Sequence, residues 1–396
     1  MREINKIYIA GFLQGFGTIA SVTYTLFFLS HGLSQTQIGT LFSFFMITLA
    51  LMEIPTGAFS DTLGHKTSIA LGSFIFSLSF LLFLLLPTFV GFLIGMFFAA
   101  TGLAFQSGAI SSLLHDILQK TGEPHQFEKI WGKMSAIFLL ASIVSAPLGS
   151  LLYERYKAIP YFIAFLTSFL SAVMIYSIKW EFHEHKHVSI HTYFDKIHKG
   201  VLLTIQNRRL LAFVIIAIAL TTIRLVFNQN INQPYLLSVG ISIGAIGVVA
   251  AIVSGVSALI QANAYKLTQK IGDTFSLFLM IILPSICAAI LGFLYSPFAV
   301  LFIILFHAGH AYRDPVLVRL TQKELHDENR ATMASTGSFL SSIIVGLLLP
   351  FWGGIIDKAG LHATLIYLAL FTLTLGTIAV FLFKGSHRDT NIKSLS

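Results

Sequence analysis

Charge is what this chain has least of. Only 11% of its 396 residues are Asp, Glu, Lys or Arg, against about 25% in a typical soluble domain. With 55% hydrophobic residues and a mean hydropathy of +0.81, that scarcity excludes an ordinary soluble fold and implies a polytopic membrane protein. Cysteine is nearly missing too. Cys287 alone excludes an internal disulfide and any cysteine-based metal centre. No Gly-x-x-x-x-Gly-Lys-[Ser/Thr] stretch occurs, so an ion gradient is the expected energy source. No cofactor and no resident metal are expected. The first hydrophobic stretch is too long for a cleaved leader and is expected to stay as an anchor. The net charge of +8 would suggest nucleic acid in a soluble protein. Here it arises from Lys and Arg in cytoplasmic loops, and no nucleic-acid partner is expected.

What is there is hydrophobic runs of membrane-crossing length, about 20 residues each. Twelve spans are predicted, at 7–29, 37–59, 67–86, 89–115, 130–152, 159–179, 210–237, 242–265, 274–295, 298–325, 332–354 and 362–383. Of the basic residues, Arg155, Lys157 and Lys358 fall on one set of loops, and Arg224 and Arg313 fall inside spans. The others lie in or beside the remaining loops and the termini, which places both termini in the cytoplasm. The longest connection, 180–209, divides an N-terminal six-helix bundle (1–179) from a C-terminal one (210–396). It holds His183, His185, His187, His191 and His198 among its lysines. A solvated linker with an interfacial helix near Tyr193–Ile205 is expected, although alternating histidines also suit a metal. The halves look like repeats. Gly102-Leu-Ala-Phe-Gln-Ser-Gly108 pairs with Gly309-His-Ala-Tyr-Arg-Asp-Pro315 at an offset of 309 − 102 = 207. Pro147…Glu154 pairs with Pro350…Asp357 at 350 − 147 = 203. Two similar bundles with a site near the bilayer midplane is the usual plan of secondary transporters.

The tenth span interrupts its own hydrophobicity with His307, His310, Tyr312, Arg313 and Asp314. A charge against lipid at mid-membrane costs at least about 2.5–3.5 kcal/mol, so these groups must meet water or each other. At about 100° per residue His307, His310, Arg313 and Asp314 fit one arc about 120° wide. Pro315 then frees a backbone carbonyl. Span seven places Arg224 near its middle, with Thr221, Asn228, Asn232 and Tyr235 at helical spacing. Arg224 can pair with Asp314 or meet an anionic group of a solute. Glu53 lies about 12 Å into the membrane by the helical rise. It is either a proton carrier or a neutral, hydrogen-bonded acid. His307 and His310 are a structural pair, a proton relay to Asp314 or, with no third ligand evident, a weaker metal candidate.

Between spans two and three lies Glu53-Ile-Pro55-Thr-Gly57-Ala-Phe-Ser-Asp61-Thr-Leu-Gly64-His65-Lys66. This resembles the signature loop of the major facilitator superfamily, Gly-x-x-x-Asp-[Arg/Lys]-x-Gly-[Arg/Lys]-[Arg/Lys]. Gly57, Asp61, Gly64 and Lys66 match, Thr62 replaces a base, and His65 stands for another. The resemblance extends over the whole chain. It implies an all-α membrane fold of twelve transmembrane helices in two pseudo-symmetric six-helix bundles. It also implies that spans one, four, seven and ten line the cavity, which brings in Gln14 and Gln106 beside Arg224, Arg313, Asn228, Asn232 and Tyr312. Asp61 would face a helix N-terminus near 330–332 as a gating latch, with Gly57 and Gly64 permitting close packing and a tight turn.

The expected function is secondary transport across the cytoplasmic membrane by a monomer, with no enzymatic activity. Proton-coupled efflux of a small organic solute, by looser resemblance to drug exporters, is the first expectation. Proton-coupled uptake of a small anion is the second, and a lipid-modifying membrane enzyme a third. Asp314, Glu53, His307 and His310 are the proton-coupling candidates. Protons, a small solute and the lipid bilayer are the expected partners.

Overall fold

A computed structural model describes residues 2–179, 201, 206–324 and 330–393, and every regular element among them is helical. The helices are α1 (Arg2–Gly17), α2 (Tyr24–Ser30), α3 (Gln35–Leu63), α4 (His65–Leu85), α5 (Phe89–Gln106), α6 (Ala109–Lys120), α7 (Phe127–Arg155) and α8 (Ile159–Tyr176). They continue with α9 (Arg208–Val226), α10 (Asn232–Ser238), α11 (Ile243–Phe293), α12 (Ala299–Glu324) and α13 (Arg330–Lys393). Among the described residues nine stretches are long and apolar enough to cross a membrane. Two of these, α11 and α13, are each broken once, at Gly272 and Gly360. The long helix α12 is less apolar than those nine because its own polar residues interrupt it. The predicted interfacial helix near 193–205 and the histidines of the central connection lie outside the described residues, apart from residue 201.

Three predicted spans are discontinuous where one helix each was expected. In span one, a 3-10 segment at Thr18–Thr23 separates α1 from α2. The hydroxyls of Thr18, Ser21 and Thr23 donate to the carbonyls three residues back, at 2.7, 2.6 and 3.1 Å, and side chains that compete for backbone carbonyls loosen an α-helix. In span four, Ser107 and Gly108 separate α5 from α6, and Gly108 has φ +74°. Only glycine takes that conformation without strain. In span seven, a π-helical turn at Phe227–Ile231 separates α9 from α10. Such a turn rotates the residues after it out of register. Tyr235, predicted to share a face with Arg224, is therefore fully buried, its hydroxyl donating to the Leu291 and Leu294 carbonyls at 3.0 and 2.8 Å.

The chain forms two compact units. The first comprises Met1–Leu33, Leu41–Tyr193 and Ser242–Ala251; the second comprises Ser34–Thr40, Phe194–Ile241 and Ile252–Ser396. In the first, α4 packs on α5 and α8, and α1 on α7 and α8. Gly72 and Gly102 set the α4–α5 approach: a Cβ on Gly102 would lie 2.6 Å from the Gly72 carbonyl oxygen. Small residues at such crossings let backbones touch where no hydrophobic drive pulls the helices together. The core of this unit runs through Ile4, Ile7, Ile69, Leu113, Leu114 and Ile130. A second layer of rings joins Phe27, Phe28, Phe83, Phe92 and Tyr161 at centroid separations of 4.0 to 5.8 Å. In the second unit α9 packs on α13, around Phe213, Ile216, Leu220, Met280, Tyr312 and Val316.

Candidate functional site

The second unit gathers charge in the middle of two long helices. Arg224 lies 16 residues past the start of the Arg208–Ser238 span, about 24 Å at the helical rise. Asp314 lies 15 residues past the start of α12, about 22 Å. The Asp314 carboxylate stands 3.3 Å from Nη1 of Arg313 and 3.9 Å from Nη1 of Arg224. Arg313 is only 7% exposed. It donates to the Thr221 hydroxyl at 2.9 Å and the Ala217 carbonyl at 3.4 Å, both on α9. The side chains of Arg224 and Asp314 are 35% and 39% exposed. Lipid does not tolerate exposed charge at this depth, so the surface they share is wet.

One helical turn before Arg313, His310 is 2% exposed and neither ring nitrogen has a hydrogen-bond partner. Its ring lies edge-on to Phe306 at 4.7 Å. His307 contacts Phe227 and Phe306 edge-on at 5.9 and 5.4 Å. Aromatic rings flank both histidines, of which His310 is buried and His307 partly exposed, and among the described residues no group of three His, Cys, Asp or Glu is placed to hold a metal.

Other predicted residues separate from this cluster. Tyr312 is buried in the core of the second unit, its hydroxyl bonded to Thr268 at 3.0 Å and Ser276 at 2.7 Å. That places it on the far side of α12 from the exposed Asp314. Asn228 is half-buried, and the Asn232 amide oxygen is buried with no partner.

The first unit carries a separate polar node. Gln14 donates to Gln106 at 2.7 Å and to the Ser73 hydroxyl at 3.3 Å, linking α1, α5 and α4. Gln14 also borders a cavity of about 270 Å³ lined by Ile7, Gly11, Ile110, Met134 and Phe138. Glu53 is exposed on α3 and accepts from the Ser107 hydroxyl at 3.4 Å, at the α5–α6 break.

The loop after α3 is built from the predicted signature residues. Gly64 has φ +92° and ψ +147°, a conformation essentially confined to glycine. Lys66 donates to the Ile178 carbonyl at 3.1 Å and stacks its ammonium over Tyr176 at 5.5 Å. Asp61 lines an open depression with His65, Ser111, His115 and Asp116. Within it His65 bonds Ser60 at 2.8 Å and approaches Asp116 at 3.8 Å. Gly57 departs from expectation. A Cβ there would meet nothing within 4 Å, so it permits no close helix contact. The side chains at 330–332, where the Asp61 latch was expected to land, lie outside the described part.

The model of the Major Facilitator Superfamily matches residues 7–336. The chain belongs to the Major Facilitator Superfamily. It is 23% identical to an uncharacterised MFS-type transporter of Methanocaldococcus jannaschii, over 96% of this chain and 97% of that one. It is 25% identical to Multidrug resistance protein 2 of Bacillus subtilis, over 98% and 95%. Its fold matches the nucleoside transporter NupG with a TM-score of 0.82 at 15% identity, covering 96% of this chain and all of that one. A bacterial Spinster homologue in an inward-facing conformation matches at 0.74 and 17% identity. The chain is thus an all-α, multi-pass membrane transporter of this superfamily, and a small molecule is its substrate.

Residues that sequence reasoning missed are acidic groups beyond the helix middles. Asp273, at the Gly272 break, binds Arg319 and Lys323, the latter at 2.9 Å. Asp357 accepts from the Gln35 and Thr36 backbone N–H groups at 2.9 and 2.8 Å and from the Thr36 hydroxyl at 2.6 Å. Glu154, its predicted repeat partner, lies against Gly244 in the first turn of α11. The matched Pro147…Glu154 and Pro350…Asp357 pattern was the available signal: each places an acid beside a helix N-terminus.

Proposed function

We propose that this transporter couples an inward proton gradient to export of a small organic solute, with Asp314 as the main proton carrier. It would act as a monomer in the cytoplasmic membrane, with cytoplasmic termini, by alternating access of the bundles 1–179 and 210–396, and without enzymatic chemistry. The observation that carries this reading is the mid-span Asp314 carboxylate, partly exposed and next to two guanidiniums. A carboxylate in such a place changes the local charge sharply when protonated, and that change alters the balance between two conformations. Kinship with Multidrug resistance protein 2 supports export. Glu53, His307 and His310 are secondary candidates; Glu53 is the most accessible of the three.

A second reading, uptake of a small anion, is favoured by the two guanidiniums around one carboxylate. Protonating Asp314 leaves both unbalanced, so a proton and an anion bind better together than apart, which is the sign co-transport needs.

Purified protein in liposomes tests both. A pH step acid outside should drive saturable solute exit in the export reading and saturable anion entry in the uptake reading. Flux indifferent to the pH step would overturn proton coupling. Asp61→Asn should slow turnover by biasing one conformation; normal turnover would remove the loop aspartate from gating.

A further inference from the structure

Among the described residues, the charges that meet at Arg224, Arg313 and Asp314 do not balance. Arg313 is the better served: Thr221, Ala217 and Asp314 accept from its two Nη atoms, although its buried Nε, like that of Arg224, has no partner. Arg224 is less so. Its nearest charged partner, Asp314, is 3.9 Å away, beyond hydrogen-bond reach, and its buried Nε has no partner. The single carboxylate bonds the other arginine. No acidic residue occurs in Arg208–Ser238, and the only one on α12 besides Asp314 is its last residue, Glu324. Neighbouring His310 and His307 supply no negative charge.

A guanidinium presents five N–H donors in a planar fork, matched by a carboxylate or phosphate with two parallel hydrogen bonds. At mid-membrane depth an unmatched fork is costly. Arg224 nonetheless remains accessible at 35% of its side chain. Among the described residues of α9 and α12 the site therefore carries one positive charge in excess, is open, and is one oxyanion short of satisfaction.

We propose that Arg224 seats an anionic oxyacid group, carboxylate or phosphate, on the transported solute. This rests on the chain being a secondary transporter, and on neither its direction nor its coupling ion.

The test is ligand binding to detergent-purified protein at neutral pH and constant ionic strength, read by thermal shift and calorimetry. The probes are benzoate, phenyl phosphate, benzamide and benzylamine, with the same four groups on indolyl and hexyl skeletons. Anionic members should stabilise the protein, while their neutral and cationic counterparts should not. Carboxylate and phosphate arms separate the two oxyacids. Arg224→Gln should weaken the best anion at least about tenfold, a loss of about 1.4 kcal/mol. Arg224→Lys should keep part of the affinity. Asp314→Asn, which doubles the excess charge, should strengthen binding several-fold. A purely structural Arg224–Asp314 bridge would instead make both changes neutral or both harmful. If Arg224→Gln fails to fold, the lysine and Asp314→Asn variants still decide.

Three results would overturn the assignment: amide or amine probes binding as well as the acids, no acid binding up to about 10 mM, or Arg224→Gln leaving the acid affinity intact. Binding is read without a gradient. Failure here with intact pH-driven flux of another solute would remove only the anion seat. Anion binding without pH-driven flux would remove only proton coupling.

Discussion

At the scale of single residues, neighbours along α12 do different work. Asp314 is accessible, Arg313 is buried and bonded through its two Nη atoms, and Tyr312 belongs to the core. Asp314→Asn should abolish gradient-driven flux, measured as solute movement after a pH step, while the protein still folds. Unchanged flux would pass the proton role to Glu53. Tyr312→Phe removes a hydroxyl shared by Thr268 and Ser276. It should lower stability by about 1–2 kcal/mol and leave the half-saturation concentration unchanged. Thermal unfolding beside transport assays checks this, and a large change in solute affinity would return Tyr312 to the solute path.

At the scale of elements, the informative feature is where helices break. Gly108 ends the α5–α6 join with positive φ in open space. Gly108→Ala should therefore cost about 1–2 kcal/mol from backbone strain alone, whereas Gly57→Ala should be neutral or slightly stabilising inside α3. Asp357 sits between predicted spans 332–354 and 362–383, where it caps α3. Burial raises the pKa of its carboxyl, but donation from the Thr36 side chain and from the Thr36 and Gln35 backbones outweighs this and holds it below the usual carboxylate range. A depressed carboxylate stabilises the fold fully above its unfolded value, about 3.9, and loses that contribution as pH falls through the folded one. Protection of the first turn of α3 against hydrogen exchange should thus weaken only under strongly acidic conditions. In Asp357→Ala it should be weak at every pH, with about 1 kcal/mol lost.

Much of this was legible in the sequence because hydrophobic length is a one-dimensional property. The long apolar helices emerged near their predicted positions. The breaks did not, since a 3-10 segment, a glycine joint and a π turn preserve mean hydropathy while changing register. The π turn at Phe227–Ile231 is why Tyr235 left the face predicted for Arg224. Within α12 periodicity put four polar residues on one arc, but partner helices decided which of them stayed open.

At the scale of the whole molecule, composition and the signature loop led to the family, while the solute depends on side-chain placement that periodicity resolves only coarsely. Signs of coupling belong to this scale. If proton and anion travel together, affinity for the best acidic probe should rise as pH is lowered towards protonation of Asp314, and calorimetry across pH would show it. A fall in affinity would favour exchange and so export.

All of these readings require that the Arg224–Asp314 surface face water within the membrane. In a Cys287→Ala background, which removes the single native thiol, cysteines placed at 224 and 314 can be challenged with a charged, membrane-impermeant thiol reagent. Rapid modification is expected at both positions, and at 314, where Arg224 is still in place, an acidic solute that binds should slow it. Resistance to that reagent, together with ready modification by a lipid-soluble one, would contradict these readings.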